Sequence, residues 1–286
     1  MSIDKFSFPT TVYFGPGARK QVGEHLRAQG VKRPLIVTDQ GVAALPLLTE
    51  FKSTLNALAT GVFAGVFGNP IASQVMAGAA AYQAHGADAV IGLGGGAALD
   101  VAKVVGLMAS HAGNVIEYAW DHPQARAIEK ALPYFVALPT TSGTGSEVGR
   151  SSVISEDESH IKRIIFSPKI LAKAVFADPE LTLGLPAKIT AATGMDALTH
   201  NVESYLSPAY HPMCDGIALQ GLKLIARSRE RRGERLGSNP VANRCELGHL
   251  DLLVTVAISG VLVTGVSLHC DRSKKTEDCL LIVSEA

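Results

Sequence analysis

Asp196 and His200, in the stretch TGMDALTHNVES, stand four residues apart, so on a helix both side chains project from one face. A carboxylate oxygen and an imidazole nitrogen presented together can bind one divalent cation, with iron(II) and zinc(II) both suited to such donors. A plain Asp–His hydrogen bond, or a cap beside Gly194, would use the same residues, and two donors do not complete a metal shell. His211, His249 and His269 follow in the chain, and nothing in their spacing brings them to the pair.

A second chemistry is carried by AVIGLGGGAALD, Ala89–Asp100, where an apolar strand pattern runs into Gly94, Gly95 and Gly96 and then opens a helix. Glycines let the backbone approach an anion, and the free N–H groups of the helix start carry partial positive charge, which suits a phosphate. The spacing departs from G-x-G-x-x-G, and tight packing alone can also require such a turn. Asp39, closing RPLIVTD, can accept hydrogen bonds from an adenosine ribose and would repel a 2′-phosphate, which points to NAD over NADP; its alternative is a cap before Gly41. Asp100 and Lys103 come early in the glycine-loop helix, where the carboxylate suits the positive end and the lysine can reach a phosphate, or where the two form a surface pair. The loop LPTTSGTGSEVG interleaves glycines with hydroxyl donors, Thr140, Thr141 and Thr144 among them, for phosphate or ribose oxygens. Lys162, on a β-segment in SHIKRIIFSP, projects toward the nucleotide or simply into solvent.

The elements that must position these residues follow from periodicity. Strands over Arg33–Asp39, Val62–Phe67, Ala89–Leu93 and Tyr134–Leu138 alternate with helices over Val42–Leu58 and Ile71–His85, the latter stopped by Gly86. This is an open α/β pattern with a mostly parallel sheet. Such sheets bind ligands beyond the carboxyl ends of their strands, so Asp39, Asn69, the three glycines and Thr140–Thr141 are expected to border one crevice. After Asp178 the spacing turns helical, with a further helix over Asp215–Ala226. Residues 1–177 thus read as a dinucleotide-binding α/β domain, 178–226 as the start of an all-α, incomplete metal-binding domain, and 227–286 as a divergent tail.

Composition narrows the partners. With 26 basic and 26 acidic residues among 286, no net charge favours nucleic acid or an anionic membrane, which leaves a small molecule. No secretory signal precedes the first strand, so a cytoplasmic location is expected, and four cysteines without C-x-x-C spacing indicate neither a disulfide scaffold nor a thiolate zinc site. In the tail, 227–236 holds five arginines, whereas the uncharged run Leu252–Leu268 approaches spanning length but is interrupted by glycines; a buried strand pair or a poorly folded tail is the expected fate and a membrane span is not.

GGGAALD, ALPTTSGTGSEVGRSSVISED, FADPELTLGLPAKITAATGMDALTHNVESYLSP and HPMCDGIALQGLKLI together resemble the iron-containing (group III) alcohol dehydrogenases, over residues 1 to about 226. The resemblance implies an N-terminal dinucleotide-binding α/β domain and a helical second domain, related to dehydroquinate synthase. It also implies NAD(P)-linked oxidation of alcohols or reduction of aldehydes with iron(II) or zinc, in dimers or larger assemblies. By position it implies cofactor contacts at Asp39, Asn69, Gly94–Gly96, Thr140, Thr141 and Lys162, and the first two metal ligands at Asp196 and His200. Ala97 stands where the family usually has serine. The family's two further histidine ligands have no counterpart after residue 226, as in a truncated or frameshifted reading frame, and the encoding nucleic acid read in its other frames would reveal the missing motif. The expected activity is therefore that of an NAD- and metal-dependent alcohol dehydrogenase, absent from this chain if the two further histidine ligands are lacking; a non-catalytic NAD-binding remnant, or a metal-dependent lyase or synthase on the same fold, is the alternative.

Overall fold

The computed structural model describes residues 10–207 and 212–233, with side chains through Ala226. Contacts divide these residues into two units: 10–141 with 146–185, and 142–145 with 186–233.

The first unit is built on six strands: β1 (Thr11–Phe14), β2 (Pro34–Asp39), β3 (Gly61–Val66), β4 (Ala89–Gly94), β5 (Tyr134–Pro139) and β8 (Ala174–Ala177). Between them run α1 (Val22–Ala28), α2 (Gln40–Ala43), α3 (Pro46–Ser53), α4 (Ala72–His85) and α5 (Gly96–Ser110), and the hairpin β6 (Ser151–Ser155) and β7 (Lys162–Phe166). The order across the sheet is β1-β8-β5-β4-β2-β3, and every pairing in it is parallel. From β2 the chain moves outward to β3 and then crosses back to β4, so the direction of winding reverses between β2 and β4. In open α/β sheets that reversal opens the space beyond the strand ends where ligands bind.

Helices on both faces explain the apolar strands. All six residues of β4 are buried, as expected for a central parallel strand covered on each side. Ile36, Ile91, Leu93, Val136, Leu138 and Phe176 form the core with Leu26, Phe51 and Leu55 from the helical layer. Full burial of each such side chain is worth roughly 1.5–3 kcal/mol. On the other layer α4 and α5 pack closely: a β-carbon on Gly78 would lie 2.6 Å from Val105 Cγ2.

Several elements differ from the sequence expectation. The single helix expected over Val42–Leu58 is two, because Pro46 lacks an N–H and forces extended backbone on Leu45, while its fixed φ suits the first turn of α3. Strands β1 and β8 went unpredicted. Each has four residues, and β8, with all four buried, shows no alternation to betray it. The helix expected from Asp215 to Ala226 runs from Pro212 to Gly233.

The second unit consists of α6 (Ala187–Leu206), α7 (Pro212–Gly233) and the segment 142–145. Ala197 and Ile225 meet in its core beside Leu198 and Leu224, and Gly221 lets α7 approach Asn201 of α6 so closely that a β-carbon there would collide with the amide oxygen. Among the described residues no helix is long and apolar enough to cross a membrane; Leu252–Leu268 and the arginine run lie outside them, apart from the backbone of 227–233.

Candidate nucleotide and metal sites

At the reversal point, Asp39 ends β2 and Gly94 ends β4. A register shift between Val37 and Asp39 sets Asp39 opposite Val66. Asp39 Oδ1 accepts the N–H of Val42 at 2.8 Å and caps α2, so the capping alternative holds for one oxygen. The other oxygen faces the glycine turn. Gly94 has φ +150°, and a β-carbon on it would stand 2.7 Å from Asp39 Oδ2 and 2.6 Å from the Ala98 β-carbon. No other residue type fits there.

Gly95 precedes α5 in extended conformation, and the helix has neither a side-chain cap nor an acidic residue in its first turn. Its leading N–H groups are therefore available to an anion. Thr140 N–H donates to Gly94 O at 3.0 Å, which ties the end of β5 to the turn. Thr141 packs on Gly95, and its buried hydroxyl has no hydrogen-bond partner. A cleft of about 280 Å³ opens beside the turn, lined by Asp39, Gln40, Phe67, Gly68, Gly95 and Ala97. Asn69 follows on the exposed segment past β3. Phe67, more than half exposed on the cleft wall, was not singled out by the sequence.

Asp100 and Lys103 point away from solvent. Asp100 Oδ1 accepts from Ser146 Oγ at 2.5 Å and from Lys103 Nζ at 3.3 Å, while Oδ2 accepts the N–H of Val153 at 3.0 Å. Lys103 also donates to Ser151 O at 2.7 Å and its ammonium is fully enclosed. The i, i+3 pair with Asp100 allowed by the sequence forms, but enclosed and not on the surface: burial pulls the Lys103 ammonium below the usual lysine range, while Asp100 and Glu147 act to keep it charged. Glu147, also buried, escaped the sequence reading because nothing local marks an acid in SEV as enclosed. Lys162 begins β7, half-buried and paired in register with Ser155.

In the helical unit Asp196 and His200 share a face of α6, with His200 Nε2 3.5 Å from Asp196 Oδ1. Gly194 lies inside this helix, which removes the capping alternative for Asp196. His200 Nδ1 lies 3.0 Å from Gly143 O. A carbonyl only accepts, so Nδ1 carries the proton and the Nε2 lone pair is directed to the Asp196 side. Gly143 is required for this, since a β-carbon on it would strike the Thr193 carbonyl. Thr144 belongs to the same short segment of this unit. Burial raises the Asp196 carboxyl, and His200 opposes the rise. Glu203, one further turn along, is raised by burial as well. Among the described residues no third histidine, cysteine, aspartate or glutamate completes a metal cluster with the pair.

The profile of the family described as iron-containing alcohol dehydrogenase matches residues 9–179, and that of the family's C-terminal region matches 190–237, eleven residues past the point where the sequence likeness was expected to stop. A 4-hydroxybutyrate dehydrogenase of Cupriavidus necator is 41% identical over 215 residues, which cover 75% of this chain and 56% of that enzyme, so the chain spans little more than half of that relative's length. The crystal structure of a 1,3-propanediol oxidoreductase superposes with a TM-score of 0.80 at 35% identity, covering 91% of this chain and 67% of that one. A sulfoacetaldehyde reductase from Bifidobacterium kashiwanohense, solved in complex with NAD+, superposes with a TM-score of 0.79 at 27% identity, covering 91% and 68%. With a parallel sheet that reverses at a glycine turn, an aspartate–histidine pair on one helix and a family profile spanning well over half its length, the chain belongs to the iron-containing alcohol dehydrogenases.

Proposed function

We propose that the chain binds NAD on its α/β unit and, with iron(II) or zinc held through Asp196 and His200, interconverts a small alcohol and its aldehyde. The observation that carries the reading is the turn at Gly94–Gly96: an uncapped helix start, a cradle that a β-carbon would fill, and the unpartnered Thr141 hydroxyl beside it. These fit a dinucleotide. Asp39 Oδ2 would take the adenosine ribose, and Asn69, Thr140, Thr141 and Lys162 would contribute the remaining polar contacts. Asp100 acts through the protein: its carboxylate, filled by Ser146, Lys103 and Val153, secures the segment 146–153 against α5.

The donor set on α6 fits a divalent cation, because the His200 lone pair and the half-buried Asp196 carboxylate converge. When bound, such a cation would supply Lewis acidity toward an alcohol oxygen, and NAD a hydride acceptor. The chain's own contribution is placement. His200 is held in one tautomer by Gly143, and beside it burial raises the Asp196 carboxyl while His200 works against that rise. The names of the relatives, 4-hydroxybutyrate dehydrogenase and 1,3-propanediol oxidoreductase, support short alcohols with a second polar end as the class to try first.

A second reading is a nucleotide-binding chain without turnover, favoured by the pair of donors that stands without a third among the described residues. The purified chain, loaded with iron(II) and assayed for NADH oxidation with short hydroxyaldehydes, separates the two. Metal-dependent turnover carries the first reading; NADH binding without turnover or stoichiometric metal carries the second; absence of NADH binding defeats both. Assembly into two or more copies belongs to the proposal, and sedimentation equilibrium reads it.

A further inference from the structure

Among the described residues, three charged side chains are almost wholly enclosed: Lys103, Glu147 and Asp178. Asp178 has Arg19 at 2.7 Å and the N–H of Glu180 at 3.0 Å. Lys103 has Asp100 and Ser151 O. Glu147 has no side-chain partner of its own, because Lys103 is taken by Asp100 and Ser151 O, and both of its carboxyl oxygens are buried without a hydrogen bond to another residue. It lies in the 3-10 turn Ser146–Val148, packed against α5 and β5.

Charge balance decides its state. From α5 the groups acting on Glu147 are Lys103, which favours its charge, and Asp100, which opposes it. β5 contributes no charged side chain, and β6, which follows the turn, contributes none either. The Asp100 carboxylate and the Lys103 ammonium already neutralise each other, directly and through the shared segment 146–153. A second carboxylate in the same enclosure would be a buried charge with no partner of its own, the costliest arrangement a core can hold.

We propose that Glu147 is a positioning residue that must carry a proton for the segment 146–153 to seat on α5 beside the nucleotide turn, so that nucleotide affinity is gated by this carboxyl. The proposal rests on the nucleotide-binding reading above. Burial pushes the Glu147 carboxyl up to about 7, with its own backbone N–H and Lys103 working against the rise and Asp100 adding to it, so the proton leaves within the neutral range. Its loss would place a net negative charge one turn past the N-terminal end of α5. That charge loosens the Ser146–Asp100 tie and opposes the phosphates that the helix start attracts.

The test is NADH affinity from pH 6 to pH 8.5 for the full chain and for Glu147→Gln, with Glu147→Leu as a second neutral replacement should the amide fold poorly. The wild type should weaken by about tenfold across this range through a one-proton transition near neutrality, and the neutral variants should keep the acid-side affinity throughout. A structural role alone would shift affinity equally at every pH. Variants that retain the wild-type pH profile, or infrared difference spectra that show Glu147 already ionised at pH 6, overturn the proposal. A wild type that binds NADH with a flat profile sinks the gating alone, whereas one that binds no NADH at any pH defeats the nucleotide reading and the gating with it.

Discussion

Asp39 Oδ2 sits where a side chain on Gly94 would have to go: a β-carbon there would be 2.7 Å from the carboxylate oxygen. The acid and the glycine thus depend on each other, one aimed into the turn and the other keeping the turn clear. Gly94→Ala would meet Asp39 and Ala98 at once and force an L-residue to φ +150°. We expect a loss of roughly 2–4 kcal/mol in denaturant unfolding, from strain together with overpacking. A midpoint within error of wild type would contradict this packing.

Because Asp39 both caps α2 and faces the turn, Asp39→Asn separates its two roles. The amide oxygen can still accept the Val42 N–H, so stability should change by less than about 1 kcal/mol. The negative charge is gone, so discrimination against NADP should fall by about tenfold or more in comparative kcat/KM or binding measurements. Unchanged discrimination would place the carboxylate away from the ribose.

Glu147 also sets a slope of stability against pH. Its pKa rises from 4.5 in the unfolded chain to about 7 in the fold, so between these values the folded state binds one proton more than the unfolded state. Stability from this group is full below pH 4.5 and is lost as pH climbs to 7, by roughly 3 kcal/mol at most. Urea titrations at pH 5 and pH 7.5 should show this fall in the wild type and not in Glu147→Gln; equal falls in both would assign the slope elsewhere.

Metal retention should follow the α6 pair. His200→Ala removes a nitrogen donor and Asp196→Asn an anionic oxygen, and each should weaken iron(II) or zinc binding by at least about tenfold, read by metal analysis after equilibrium dialysis. Gly143→Ala touches neither donor but displaces the carbonyl that orients His200, and should weaken binding too. Binding that survives all three substitutions would locate the metal elsewhere.

The parts of this structure legible in the sequence are those set by near neighbours in the chain. The strand, three glycines and helix of Ala89–Asp100 form one continuous local signal, and the four-residue spacing of Asp196 and His200 fixes their shared helical face. The parts that escaped are set by distant partners. Lys103 looks like a surface residue until Ser151, 48 positions on, provides its carbonyl. Glu147 is enclosed by α5 and β5, neither of which is visible from SEV. The break at Pro46 was legible in principle, since a proline inside a helical pattern moves the helix start to itself.

The central claim is that a dinucleotide seats on the Gly94–Gly96 turn, and calorimetric titration of the purified chain with NADH tests it most directly. One NADH per chain is predicted, with affinity weakened at least about tenfold in a folded Gly94→Ala variant. No heat of binding in the wild type, or undiminished affinity in that variant, would contradict it.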